Sequence, residues 1–78
     1  MLNFKGGRPE MRVGINDNLL GQQVIYKAFN GKLFFGTVLK QEFTFSKRSY
    51  LTIQTNEGNV FCCYLDEAIE NKQIFYNR

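Results

Sequence analysis

The chain has no histidine, no tryptophan, a single proline and only two cysteines in 78 residues. Each shortage removes a class of chemistry. Without histidine, general acid–base work falls to carboxylates, lysine, tyrosine or cysteine, and a nucleophilic thiol lacks its usual base. The two cysteines are adjacent, Cys62-Cys63. On a strand such neighbours point to opposite faces, which disfavours a disulfide between them. A zinc site would need CxxC spacing or histidine, and the sequence has neither. The pair therefore reads as two free thiols, one inside and one outside, in a reducing cytoplasm. No apolar run approaches the roughly 18 residues of a membrane span, and MLNFKGGRPEM lacks the apolar stretch of a secretory leader. Gly6-Gly7 and Gly36 do not form a GxxxxGK[ST] phosphate loop. The expectation is a cytoplasmic protein with no cofactor, no metal, no membrane contact and no catalysis.

What is present suits a compact binding domain. Apolar residues make up 44% of the chain, with eight Phe and four Tyr, so a few large side chains can fill a small core. A chain this short buries only about 60% of its unfolded surface, which leaves a thin stability margin and invites a partner or a staple. Ten basic against seven acidic residues give a net charge of +3. That balance fits nucleic acid, and it equally fits a solubilising surface.

Residues 1–10 hold the only proline, two glycines and several charges, and read as a flexible N-terminal arm; Met11 is a second conceivable start. Residues 11–78 read as a single domain. MRVGI (11–15) is a short candidate strand. QQVIYKAF (22–29) and KLFFGTVLK (32–40) flank Asn30-Gly31, the strongest short-range hairpin signal; a type I′ turn there would need positive φ at both residues. Gly36 inside the return strand marks a bulge, a bend or a close backbone approach. QEFTF (41–45) either extends that strand or bends away. SKRS (46–49) is a polar turn. YLTIQT (50–55) alternates, with Leu51 and Ile53 inward. NEG (56–58) is a tight turn, and NVFCCY (59–64) is the next strand. LDEAIENK (65–72) has helical spacing for a single turn, and QIFY (73–76) closes the series.

A meander of short aromatic strands exposes vulnerable edges, and closure into a small barrel removes them. The fold class is therefore all-β: a small five- to six-stranded barrel with one short helical or 3₁₀ turn before the last strand. This layout resembles the SH3-like small barrels over roughly residues 20–76. Gly21 in LLGQQVIY and Gly36 in LFFGTVL resemble the KOW and Tudor-like branch, and VIYKAFNGKLFFGTVL resembles the strand–turn–strand of the Sm-like branch. Small size and dense Phe, Tyr, Asn and Lys usage are also similar to accessory proteins of tailed phages.

Two functions remain open. EFTFSKRSY (42–50) interleaves aromatic and basic residues, as single-stranded nucleic-acid binders do. On that reading Phe43, Phe45, Lys47, Arg48 and Tyr50 are contacts, Lys27, Lys32 and Lys40 on the preceding hairpin extend the track, and Arg12 joins from the N-terminal side. The partner would be RNA or another single-stranded nucleic acid, with the protein a homodimer that modulates a host nucleic-acid machine. The other function is that of an inhibitor or adaptor docked directly on a host protein, with Phe75 and Tyr76 as interface residues and an acidic strip at Asp66, Glu67 and Glu70 adding polarity. Convergence of Lys27, Lys32, Lys40, Lys47 and Arg48 on one face would favour the first reading; their scatter, with Phe29, Phe34, Phe75 and Tyr76 forming an exposed patch, would favour the second.

Overall fold

Three hairpins in succession build the sheet. The computed structural model describes residues 12–77; the expected arm at 1–10 and the second start at Met11 lie outside them. The elements are β1 (Gln23–Lys27), β2 (Leu33–Phe43), β3 (Ser49–Thr55), β4 (Val60–Tyr64), α1 (Leu65–Glu70) and β5 (Ile74–Tyr76). All ladders are antiparallel, in the order β4-β3-β2-β1-β5. The all-β class and the helical turn before the last strand are as expected. Closure is not: the sheet is open, with β4 and β5 at its two edges. After β4 the chain turns into α1 and re-enters beside β1, so β5 extends the far edge and does not meet β4. The core is covered by α1 and by the segment before β1, which takes the place of a second barrel wall. Of the expected strand MRVGI, the described residues 12–15 form no strand, only an isolated bridge between Arg12 and Phe75. QEFTF continues β2 as far as Phe43.

All three hairpin loops repeat one geometry. In each, a four-residue turn is closed by a backbone bond back to its first residue, and its fourth residue is left-handed. Gly31 N–H donates to the Ala28 carbonyl, Lys47 N–H to Thr44, and Gly58 N–H to Thr55, at 2.8–2.9 Å. The left-handed residues have φ of 89° at Gly31, 64° at Lys47 and 96° at Gly58. The Asn30-Gly31 loop is therefore a three-residue loop, not the two-residue type I′, and only Gly31 needs positive φ. Thr44 and Thr55 reinforce their loops identically, each Oγ1 accepting the backbone N–H four residues on.

Two of these left-handed positions hold glycine and the third holds a lysine, whose Cβ costs roughly 1–2 kcal/mol there. Lys47→Gly is expected to stabilise the domain by about 0.5–1 kcal/mol, net of the extra chain entropy of glycine. Gly31→Val should destabilise it by at least about 1 kcal/mol. Urea denaturation of both variants checks the pair. A lower midpoint for Lys47→Gly would contradict the shared-turn account.

Strand alternation sorts the side chains. Val24, Val38, Leu51, Ile53, Ile74 and Tyr76 point inward, where Leu65 and Ala68 of α1 and Val13 and Leu19 of the preceding segment cover them. Tyr26, Phe34 and Phe61 form a half-buried aromatic group beside this core, with ring centroids 4.9 Å (Tyr26–Phe61) and 6.1 Å (Phe34–Phe61) apart. The ladder bulges at Leu39, between Val38 and Lys40, and not at Gly36. Gly36 answers to the third expectation, close backbone approach: a Cβ there would lie 2.4 Å from the Gln54 carbonyl oxygen.

Candidate nucleic-acid interface

The outer face of the sheet is assembled by pairing register. Residues directly opposite across antiparallel strands share a face. Phe35 faces Ile25, Ile25 faces Phe75, and Phe75 faces Arg12, which makes one apolar row ending in a guanidinium. Leu33 and Lys27 form the next row. On the other side lie Val60, Gln54, Thr37 and Gln23, then Cys62, Thr52 and Lys40, then Tyr64, Tyr50 and Glu42. An antiparallel sheet with one covered face ordinarily carries polar residues on the other. Here Phe35 remains 42% exposed, Leu33 48% and Val60 55%, while Ile25, Phe75, Tyr50 and Tyr64 are half-buried among their neighbours.

Charge on this face is one-sided. Arg12, Lys27 and Lys40 are exposed, and Glu42 is the one acid among its described strand residues. Lys27 and Lys40 stand about 20 Å apart along the strands, from a rise of about 3.3 Å per residue. At the β5 edge, Arg12 and Lys72 flank a depression of about 270 Å³ floored by Val13, Ile69, Ile74 and Phe75. Flat rings, amides and hydroxyls between cations are the parts needed to stack bases, meet their edges and hold phosphates.

The remaining candidate residues lie elsewhere. Lys32 is in the β1–β2 loop, its ammonium 5.2 Å from the Phe34 ring centre. Phe43, Phe45 and Lys47 are at the opposite end of β2, so the lysines as a set do not converge: Lys27 and Lys40 share the outer face, and Lys32 and Lys47 occupy opposite ends. Phe43 is 73% exposed and Phe45 fully exposed. Phe43, Lys47, Arg48, Ile15 and Asp66 help line a depression of about 200 Å³. Tyr76 points inward from β5 and is only 8% exposed, its hydroxyl donating to Asp17 Oδ2 at 2.6 Å. Of the two expected protein-contact residues, strand alternation leaves only Phe75 on the surface.

Arg48 is committed to the protein itself. Nε donates to Asp66 Oδ2 at 3.0 Å, and Nη2 to Asp66 Oδ1 at 3.1 Å and Glu67 Oε2 at 3.0 Å. The guanidinium also lies 3.9 Å from the centre of the Tyr64 ring, which packs on Tyr50. Asp66 and Glu67 of the expected acidic strip both grip Arg48, which offsets one of their two charges, while Glu70 stays exposed one turn on. Hydrogen bonding from Arg48 holds the Asp66 carboxyl below its ordinary value of 3.8. A carboxylate with a lowered folded-state pKa stabilises the fold above its unfolded pKa, and this contribution is lost as pH falls through the folded value. Acid titration of stability below about pH 4 should therefore fall less steeply in Arg48→Met than in the parent. Identical slopes in a circular-dichroism titration would contradict the linkage.

The two thiols differ as expected. Cys62 is on the outer face and exposed, its Sγ 3.6 Å from Thr52 Oγ1, and Cys63 is half-buried. Burial, reinforced by Cys62, pushes the Cys63 thiol up to about 11.

Phe35 and Ile25 were not among the residues picked from sequence. The signal is the Phe34-Phe35 pair itself: in a strand, one of two neighbours must face outward. Comparison with protein-family models, with curated proteins and with solved structures finds no match.

Proposed function

We propose that this protein is a non-catalytic module that binds single-stranded nucleic acid, RNA foremost, on the outer face of its sheet. The observation that carries this reading is the joint placement of Phe35, Phe75 and Tyr50 with Arg12, Lys27 and Lys40 on a face that no described element covers. Four of the nine residues picked from sequence as nucleic-acid contacts lie there, Arg12, Lys27, Lys40 and Tyr50, and Phe75, picked as a protein contact, lies beside them. The rings offer stacking surfaces that accept any base, and the three cations neutralise phosphates along the strand. EFTFSKRSY contributes through Tyr50 and less through its tip, where Arg48 is already paired. Fluorescence anisotropy with a generic single-stranded RNA over a salt series tests the reading. The expected log–log slope is about −2, from three phosphate contacts at roughly −0.7 each. No binding at low salt would overturn it.

A second reading, docking on a partner protein as an adaptor or inhibitor, is favoured by one separate observation. Phe29 is 85% exposed and Phe45 fully exposed, at opposite ends of the sheet. Such rings suit apolar anchoring in a partner's pocket.

A further inference from the structure

The two edges of the sheet are not equivalent. Beyond β5, Arg12 forms a bridge opposite Phe75. Beyond β4, no strand pairs among the described residues. The phase of the β3–β4 ladder is set by the Thr55 N–H bond to the Asn59 carbonyl at 2.7 Å. Alternation from that bond directs the backbone groups of Phe61 and Cys63 toward β3. The N–H groups of Val60, Cys62 and Tyr64, with the carbonyls of Val60 and Cys62, therefore point away from the sheet. The segment NVFCCY (59–64) carries no charge and no proline, and the β3–β4 register runs without a bulge. These are the devices that ordinarily block an edge. Beside this edge, Cys63 and Tyr64 of β4, Glu67, Ala68 and Asn71 from the helical segment, and Tyr26 help line an open groove of about 320 Å³.

We propose that β4 pairs antiparallel with β4 of a second copy of this chain, about a two-fold axis at Cys62. The strand is self-complementary in that register. Val60 lies opposite the partner's Tyr64 on the outer face, and Phe61 opposite the partner's Cys63 on the inner face, so apolar meets apolar throughout. The two Cys62 residues exchange backbone bonds, and each Tyr64 N–H donates to the partner's Val60 carbonyl. Because the two-fold contact uses the same edge of each copy, it closes at two copies and does not propagate into a filament. The joined sheets make one surface of twice the width. The dimer does not depend on what binds that surface.

The register brings the two Cys62 Cα atoms to about 5.5 Å, inside the range that a disulfide spans. Diamide would oxidise the pair: each thiol gives up a proton and an electron, an S–S bond forms, and diamide is reduced to its hydrazine. Sedimentation velocity of the full chain in reductant is the first measurement, and a dimer is expected. Cys62→Lys places like charges opposite each other at the axis and should give a monomer with an unchanged circular-dichroism spectrum. Diamide should link the parent and Cys63→Ser, but not Cys62→Ser. A monomeric parent at every concentration, a dimer that survives Cys62→Lys, or a link that requires Cys63 would each overturn the proposal.

Discussion

Gly36→Ala is expected to cost about 3 kcal/mol or more, at the upper end of what overpacking does. The added Cβ would sit 2.4 Å from the Gln54 carbonyl oxygen and 3.0 Å from both its carbon and the Thr55 Cα. All three are backbone atoms, so no rotamer change relieves the contact. β2 is also the central strand, with Gly36 opposite Val24 on one side and Thr55 on the other. Moving β2 away from β3 drives it into β1. A domain of this size has about 4–12 kcal/mol of stability in all, so the substitution removes much of it. Urea denaturation gives the value. A variant as stable as the parent would show that β2 and β3 do not approach as closely as the structure has them.

The second large effect concerns binding. Phe35→Ala and Phe75→Ala are each expected to weaken single-stranded RNA binding by roughly 5- to 150-fold, the equivalent of about 1–3 kcal/mol per stacked base. Both rings point away from the core, so the fold should survive, as circular dichroism can show. Lys47→Ala with Arg48→Ala should weaken binding less, because Lys47 stands at a loop tip and Arg48 is held by Asp66 and Glu67. If that double variant loses the most affinity while Phe35→Ala and Phe75→Ala bind as the parent does, the contact is the β2–β3 loop and the sheet-face assignment fails.

Much of the fold is legible in local pattern. The position of the first hairpin follows from Asn30-Gly31, the inward phase of β3 from Leu51 and Ile53, and the helical turn from the spacing of Leu65, Ala68 and Ile69. Closure was not legible, because nothing local tells whether QIFY will pair with β4, with β1 or with both. The left-handed conformation at Lys47 was hidden for another reason. The loop repeats the geometry of its glycine-bearing neighbours without carrying a glycine, and so gives no compositional sign. Arg48 shows the limit of reading a basic–aromatic stretch as a site: its carboxylate partners lie 18 and 19 residues away, and only folding brings them to it. The outer face was partly legible, since Arg12, Lys27, Lys40 and Tyr50 stand out as candidate nucleic-acid contacts and Phe75 as a candidate protein contact. Their common placement depends on register, which the sequence does not state.

The central claim is that RNA lies on the outer face, and methyl resonances report it directly. Ile25, Leu33, Thr37, Thr52 and Val60 present methyls outward, whereas Val24, Val38, Leu51 and Ile53 present theirs to the core. On titration with a single-stranded RNA, the outward set should shift and broaden while the core set stays in place. Shifts confined to residues 43–48, or no shift at low salt, would contradict the account.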